Sequence, residues 1–296
     1  MILIARIVLN ADTIIQLLTT ATLAGLLFSS GLQLTWNEIA DSLRQNRIAL
    51  VLAVNFLLVP ALVFLLARAF QIPTETTVGM MLLAAAPFAP VVPTFARLAK
   101  GNLALAAALT GLFPVLSAFL TPLVCEWSLR PLLATSGLKF NVVSLLLVLV
   151  STITLPLAAG VVVHHCWPLL ARKCLKPIQV FSEAIGTISL IFVTTVEFHS
   201  VIQVGWKPLL AMVLASELSF LAGYFLSGRT PASRLVVALG TANRNIALAL
   251  LIAVASFPGT PIKAMVVANG LLLILLGLLH VGLWRFFASE KNQHRV

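Results

Sequence analysis

The chain has 296 residues, of which 60% are apolar and only 9% charged, against about 25% charged in an average soluble domain, and its formal net charge is +10. That balance excludes a water-soluble globular fold, because no core of this length absorbs so much apolar surface. It also argues against nucleic-acid binding: the Lys and Arg residues are scattered in small clusters between apolar stretches, as basic loops are when they anchor one side of a membrane protein.

A helix needs about 20 mostly apolar residues to cross the hydrocarbon core. The sequence offers nine such stretches, at 13–35, 47–70, 76–98, 102–125, 141–165, 178–198, 207–227, 234–256 and 262–288. A β-barrel is excluded because runs such as Leu145 to Val150 and Leu271 to Leu279 do not alternate. Met1 to Asn10 has no small-residue cleavage site and is expected to stay as a short tail before the first crossing.

In chain order, the second crossing carries Asn55 and Pro60. The third is interrupted by Pro87-Phe88-Ala89-Pro90-Val91-Val92-Pro93, where Pro87, Pro90 and Pro93 each remove a backbone donor and clash with the preceding turn. A regular helix cannot continue through that run, so its freed carbonyls must face protein or a polar cavity. Phe88 is placed to stack on a bound molecule or to pack. Thr110 lies in the fourth crossing, and residues 126–140 form a connecting loop.

His164-His165-Cys166 ends the fifth crossing as an interfacial cluster. Cys125, Cys166 and Cys174 show no paired spacing, and neither a metal site nor a cofactor is expected. Glu183 and Glu197 lie toward the ends of the sixth crossing, and Glu217 in the middle of the seventh.

The eighth crossing holds the polar run Gly240-Thr241-Ala242-Asn243-Arg244-Asn245 between two apolar segments. A charge at that depth costs several kcal/mol unless it meets a partner, water or ligand. Arg244 therefore either pairs with Glu217 or faces an anion, and Asn245, Asn243 and Thr241 are its polar neighbours. Glu217 is also the candidate carrier of a coupled proton.

With the N-terminus outside, twelve of the 19 Lys and Arg residues fall on the inner side and six on the outer, with Arg244 inside a helix. This supports an outer N-terminus and a cytoplasmic C-terminus in a cell inner (plasma) membrane. The two breaks occupy the third of four crossings in 1–125 and the fourth of five in 141–288, ahead of a tail at 289–296. Paired broken helices in two halves indicate an inverted-repeat transporter that has lost its opening helix, with a site near the midplane.

From about Thr19 to Trp284 the chain resembles the sodium/bile acid symporter family. The likeness is carried by Gly31-Leu32-Gln33-Leu34-Thr35 with Asp41 and Leu43-Arg44, by Pro60, and most densely from Ile72-Pro73 to Thr121-Pro122, through Val78-Gly79, Ala86-Pro87, Leu98-Ala99-Lys100-Gly101-Asn102 and Leu109-Thr110. Asn245 matches the Asn that closes the family motif in the second break. The resemblance implies an all-α fold with a core of two crossing broken helices rocking against a panel, and transport of an organic anion, bile-acid-like or a small carboxylate.

The departures bear on coupling. Where sodium-driven members carry Glu-x-Gly-x-Gln-Asn, this chain has Gly240 for the Glu and Arg244 for the Gln, and Val92-Pro93 replaces a Ser-Asn pair. Asn55, Thr110 and Asn245 are the remaining candidate ion ligands, too few for a cation that prefers several oxygens. Weak or absent sodium coupling is expected, with a proton as the other candidate. The alternatives are a channel or ligand-sensing protein of the same fold, or a sodium-independent exporter or uniporter of metabolites. An enzyme is not expected, since no nucleophile and base recur at a working spacing.

Overall fold

The computed structural model describes residues 2–33, 47–134 and 138–293, and the side chains of 11–33, 47–134 and 138–286. The residues Leu34-Thr35, Asp41 and Leu43-Arg44 that carry part of the family likeness lie outside it.

All regular structure among the described residues is helical. In chain order the elements are α1 (Ile2–Gly31), α2 (Ile48–Ala69), α3 (Thr74–Ala84), α4 (Val92–Leu98), α5 (Leu103–Leu133), α6 (Val142–Cys166), α7 (Pro168–Val196), α8 (Phe198–Ile202), α9 (Trp206–Leu226), α10 (Pro231–Ala242), α11 (Ile246–Ser256) and α12 (Ile262–Gln293). Among the described residues, eight stretches are long and apolar enough to cross a membrane, with α10 and α11 together forming one of them. The expected third crossing is the one that fails this test, because it is divided between α3 and α4, each far short of the roughly 30 Å needed.

Several boundaries differ from the sequence reading. α5 continues to Leu133 through much of the expected 126–140 loop. Glu126 and Arg130, four residues apart, share its exposed face while Ser128, Leu129 and Leu132 are buried, so the charges ride on a helix rather than end it. α7 begins at Pro168, its first turns carrying exposed Arg172, Lys173 and Lys176. Helix α1 includes Ile2 to Asn10, and α12 runs into the expected tail as far as Gln293.

α2 and α6 each contain a widened π turn, at Val54–Leu58 and Val150–Thr154. Each is followed by a proline, Pro60 or Pro156, whose missing N–H and ring bulk displace the regular hydrogen-bond ladder. The first π turn presents Asn55 to the interior.

Helices α1, α6 and α7 pack into one layer through small residues. A Cβ on Gly31 or Gly160 would run into the facing backbone, and one on Gly25 or Gly186 would meet Ser182 or Thr22. Such contacts let helices approach closely where lipid supplies no hydrophobic drive. The second layer holds α2 to α5 and α9 to α12, and within it the α10–α11 crossing is the most enclosed of all.

Candidate functional site

The two breaks meet inside the second layer. The Ala89 N–H donates to the Asn243 carbonyl (3.1 Å) and the Asn245 N–H donates to the Ala86 carbonyl (2.8 Å). Each interruption thus satisfies part of the other's freed backbone, and the Thr121 hydroxyl of α5 donates to the Ala85 carbonyl (2.7 Å). Pro87, Pro90 and Pro93 keep residues 85–91 out of the helix. Phe88 among them adopts a left-handed φ of 62°, a strained conformation for an aromatic residue that its surroundings must hold in place.

Those surroundings are visible. The Phe88 ring is 1% exposed and stacks on Phe113 at 4.6 Å, and Phe113 in turn stacks on Phe56 at 5.9 Å. Its other side lies on Gly240, where an added Cβ would overlap the ring. Phe88 is therefore packed into the crossing and does not face an open cavity. The place from which a carboxylate at position 240 would project is filled by an aromatic ring.

Arg244 is 3% exposed and points to the π turn of α2. Its Nη1 donates to the Asn55 backbone carbonyl and to Asn55 Oδ1, both at 3.4 Å, while Nη2 has no hydrogen-bond partner among the described residues. Asn55 Nδ2 donates to Thr241 Oγ1 (3.1 Å) and to the Val51 carbonyl (2.9 Å), which fixes the amide. Of the two alternatives for Arg244, the pairing with Glu217 does not form. Glu217 Oε2 instead lies 3.0 Å from His280 Nε2, because the face of α9 that carries it turns toward α12 and not toward the crossing. His280 is also stacked on Phe220.

The polar neighbours serve the helix ends. Asn245 Oδ1 accepts from the Leu248 N–H (3.0 Å) and caps α11, and Asn243 Nδ2 donates to the Leu239 carbonyl (2.9 Å) at the end of α10. Of the three candidate ion ligands, Asn55 meets Arg244, Asn245 caps a helix, and Thr110 lies on the wall of a separate cavity.

That cavity, of about 290 Å³, opens between the layers and reaches the first break through Pro90 and Pro93. Ser29 and Ser30 of α1, Gln33 just beyond it, and Gln179 and Glu183 of α7 face Thr94 and Arg97 of α4 and Thr110 of α5. Thr110 Oγ1 is buried without a hydrogen-bond partner, and Gln179 donates to Glu183 (2.9 Å). Arg97 is exposed and forms no ion pair among the described residues. In the sequence Arg97 is one of the twelve basic residues counted on the inner side, with no other role to mark it. The missed signal was its spacing: Pro93-Thr94 and Arg97 are three or four residues apart on α4 and so share one face, next to Pro90 of the break.

Comparisons with known proteins bear on this arrangement. Residues 20–204, more than half of the chain, match the model of the sodium bile acid symporter family. The chain is similar to a probable chloroplastic sodium/metabolite cotransporter of Arabidopsis thaliana, at 24% identity over 282 residues covering 92% of this chain and 67% of that one. It is equally similar to an uncharacterized sodium-dependent transporter of Bacillus subtilis, at 24% identity over 250 residues, 83% of this chain and 75% of the other. With paired broken helices in a multi-pass helical bundle and this match, the chain belongs to the sodium bile acid symporter family, whose members are membrane transporters and not enzymes.

Proposed function

We infer that the protein carries small organic anions across a cell inner membrane by alternating access, and that it does so without obligatory sodium coupling. The observation that carries this reading is the Arg244 guanidinium held against Asn55 at the crossing, with no carboxylate beside it. A fixed cation there takes the place a mobile cation would need, and the neutral oxygens of Asn55 are its whole complement among the described residues. Phe88 over Gly240 supports the same conclusion, since it leaves no room for the acidic side chain that sodium coordination favours.

The cavity supports the substrate class. At about 290 Å³ it stands at the lower edge of the volumes that hold small molecules, roughly 300 Å³ upward, which favours a small carboxylate over a sterol-sized anion. Arg97 supplies a positive charge that forms no ion pair among the described residues, on a wall that faces the Glu183 carboxylate held by Gln179, and the Thr94 and Thr110 hydroxyls can donate to a carboxylate oxygen. The distribution of basic residues supports an opening toward the cytoplasm.

The test is uptake of labelled small carboxylates into proteoliposomes with sodium or potassium as the outside cation. Equal saturable uptake in both, diminished by Arg97→Ala, is the expected result. Uptake that stops without sodium would defeat the coupling claim, and non-saturating flux would favour a channel.

A further inference from the structure

A second charged cluster lies at the other end of the bundle. Lys263, the second residue of α12, forms an ion pair with Asp12 of α1 and lies 3.2 Å from Glu197 Oε1 at the C-terminal end of α7. The three side chains are 6%, 8% and 11% exposed respectively. The second oxygen of Asp12 accepts the N–H of Gly259 (3.0 Å), which sits at φ 72° in the turn between α11 and α12.

The placement matters more than the pairing. Asp12 and Glu197 belong to the layer of α1, α6 and α7, whereas Gly259 and Lys263 belong to the layer that holds the crossing. Every contact in the cluster therefore spans the interface between the layers. Along α1, Asp12 precedes the cavity residue Leu26 by 14 positions, and along α7 Glu197 follows the cavity residue Glu183 by 14, about 20 Å in each case. At one end the cavity parts the interface; at the other, two carboxylates on one ammonium cross it, beside a further cavity of about 450 Å³ lined by Ser200, Gln203, Pro261 and Ala264.

Burying three charges is costly, so the cluster is a poor choice if adhesion alone is required; apolar packing would hold the layers at least as well. An ionic contact differs in that its groups are readily hydrated once separated. It can hold when dry and release when wet. We propose that Asp12, Lys263 and Glu197 form the bolt that closes the face opposite the cavity, and that its release is a required step of the transport cycle. The proposal rests on the alternating-access reading above, with Lys263 as a positioning residue that acts on the layers and does not touch the substrate.

The test follows thiol reactivity at both ends in purified full-length protein in detergent, with Cys166→Ser and Cys174→Ser removing the two cysteines that are not fully buried. Ile15→Cys reports on the bolted end, since Ile15 is fully buried one turn along α1 from Asp12. Thr94→Cys reports on the cavity. Each is combined with Lys263→Met and, in case that change alone prevents folding, with the neutral set Lys263→Met, Asp12→Asn and Glu197→Gln.

The expected result is labelling of Ile15→Cys by a maleimide-polyethylene glycol that rises about tenfold when the bolt is neutralised, with a matching fall at Thr94→Cys. Unchanged labelling of Ile15→Cys in the monodisperse neutral set would overturn the bolt. A rise at Ile15→Cys with no fall at Thr94→Cys would keep the bolt but refute alternating access.

Discussion

The crossing and the bolt each bury one cation, and they treat it in opposite ways. Lys263 is met by two carboxylates from two other helices, so its charge is more than cancelled. Among the described residues, Arg244 is met only by the amide and carbonyl oxygens of Asn55, and one of its nitrogens has no partner. A paired cation holds structure together, whereas a cation buried as fully but without a carboxylate carries a cost that a functional role outside the fold would account for. The contrast separates stability from function residue by residue, and substitutions can break it at either pole.

The largest effect on stability is expected from Lys263→Met. It leaves Asp12 and Glu197 buried together without a cation, a situation that costs about 3–5 kcal/mol when one member of a buried ion cluster is removed. A thermal-shift measurement in detergent should show the melting temperature falling steeply and recovering most of the way when Asp12→Asn and Glu197→Gln are added. A fall that persists in the neutral triple variant would mean that packing, and not charge, is what Lys263 supplies.

Next in size is Gly240→Ala. The new methyl group would overlap the Phe88 ring, which is already confined by its left-handed backbone and by Phe113, so the strain has no easy outlet. Overpacking of this kind costs about 1–3 kcal/mol, and combining it with Phe88→Leu should restore part of the loss because the two sites share one space. Additive effects in that cycle would show that the ring moves aside. Smaller again is Gly259→Ala, where nothing lies within 4 Å of the added carbon and only the positive φ is penalised, at about 1 kcal/mol.

This gradient also explains which parts of the molecule could be read from the amino-acid sequence. Both breaks are local events: three prolines in seven residues, or a polar hexapeptide between apolar segments, disrupt a helix wherever it lies. Pro60 likewise marks its own π turn. The bolt is not local. Asp12 and Lys263 are 251 positions apart; Asp12 just precedes the expected crossing at 13–35 and Lys263 opens α12, so each passes for an interfacial anchor. The pairing alternative for Glu217 fails in a related way, because its place in the middle of a crossing is legible but the rotation of α9 that turns it to His280 depends on packing between helices. Phe88 was recognised as an aromatic at the break, yet its role is decided by the absence of a side chain at Gly240, 152 residues later.

The smallest change in stability, and the most informative one, is expected from Arg244→Met. Removing this guanidinium strands no carboxylate; it forfeits two hydrogen bonds at the long end of the range and relieves a desolvated charge of similar cost, so the melting temperature should move by the equivalent of no more than about 1 kcal/mol in either direction. Carboxylate uptake should nevertheless fall by about tenfold or more, because the fixed charge that stands in for the mobile cation is lost. The pair of results is what distinguishes Arg244 from Lys263. If Arg244→Met unfolds the protein as Lys263→Met does, a hidden partner neutralises it and its charge is structural. If uptake survives in a stable variant, the fixed cation at the crossing plays no part in transport, and anion recognition must rest on Arg97 and the cavity wall alone.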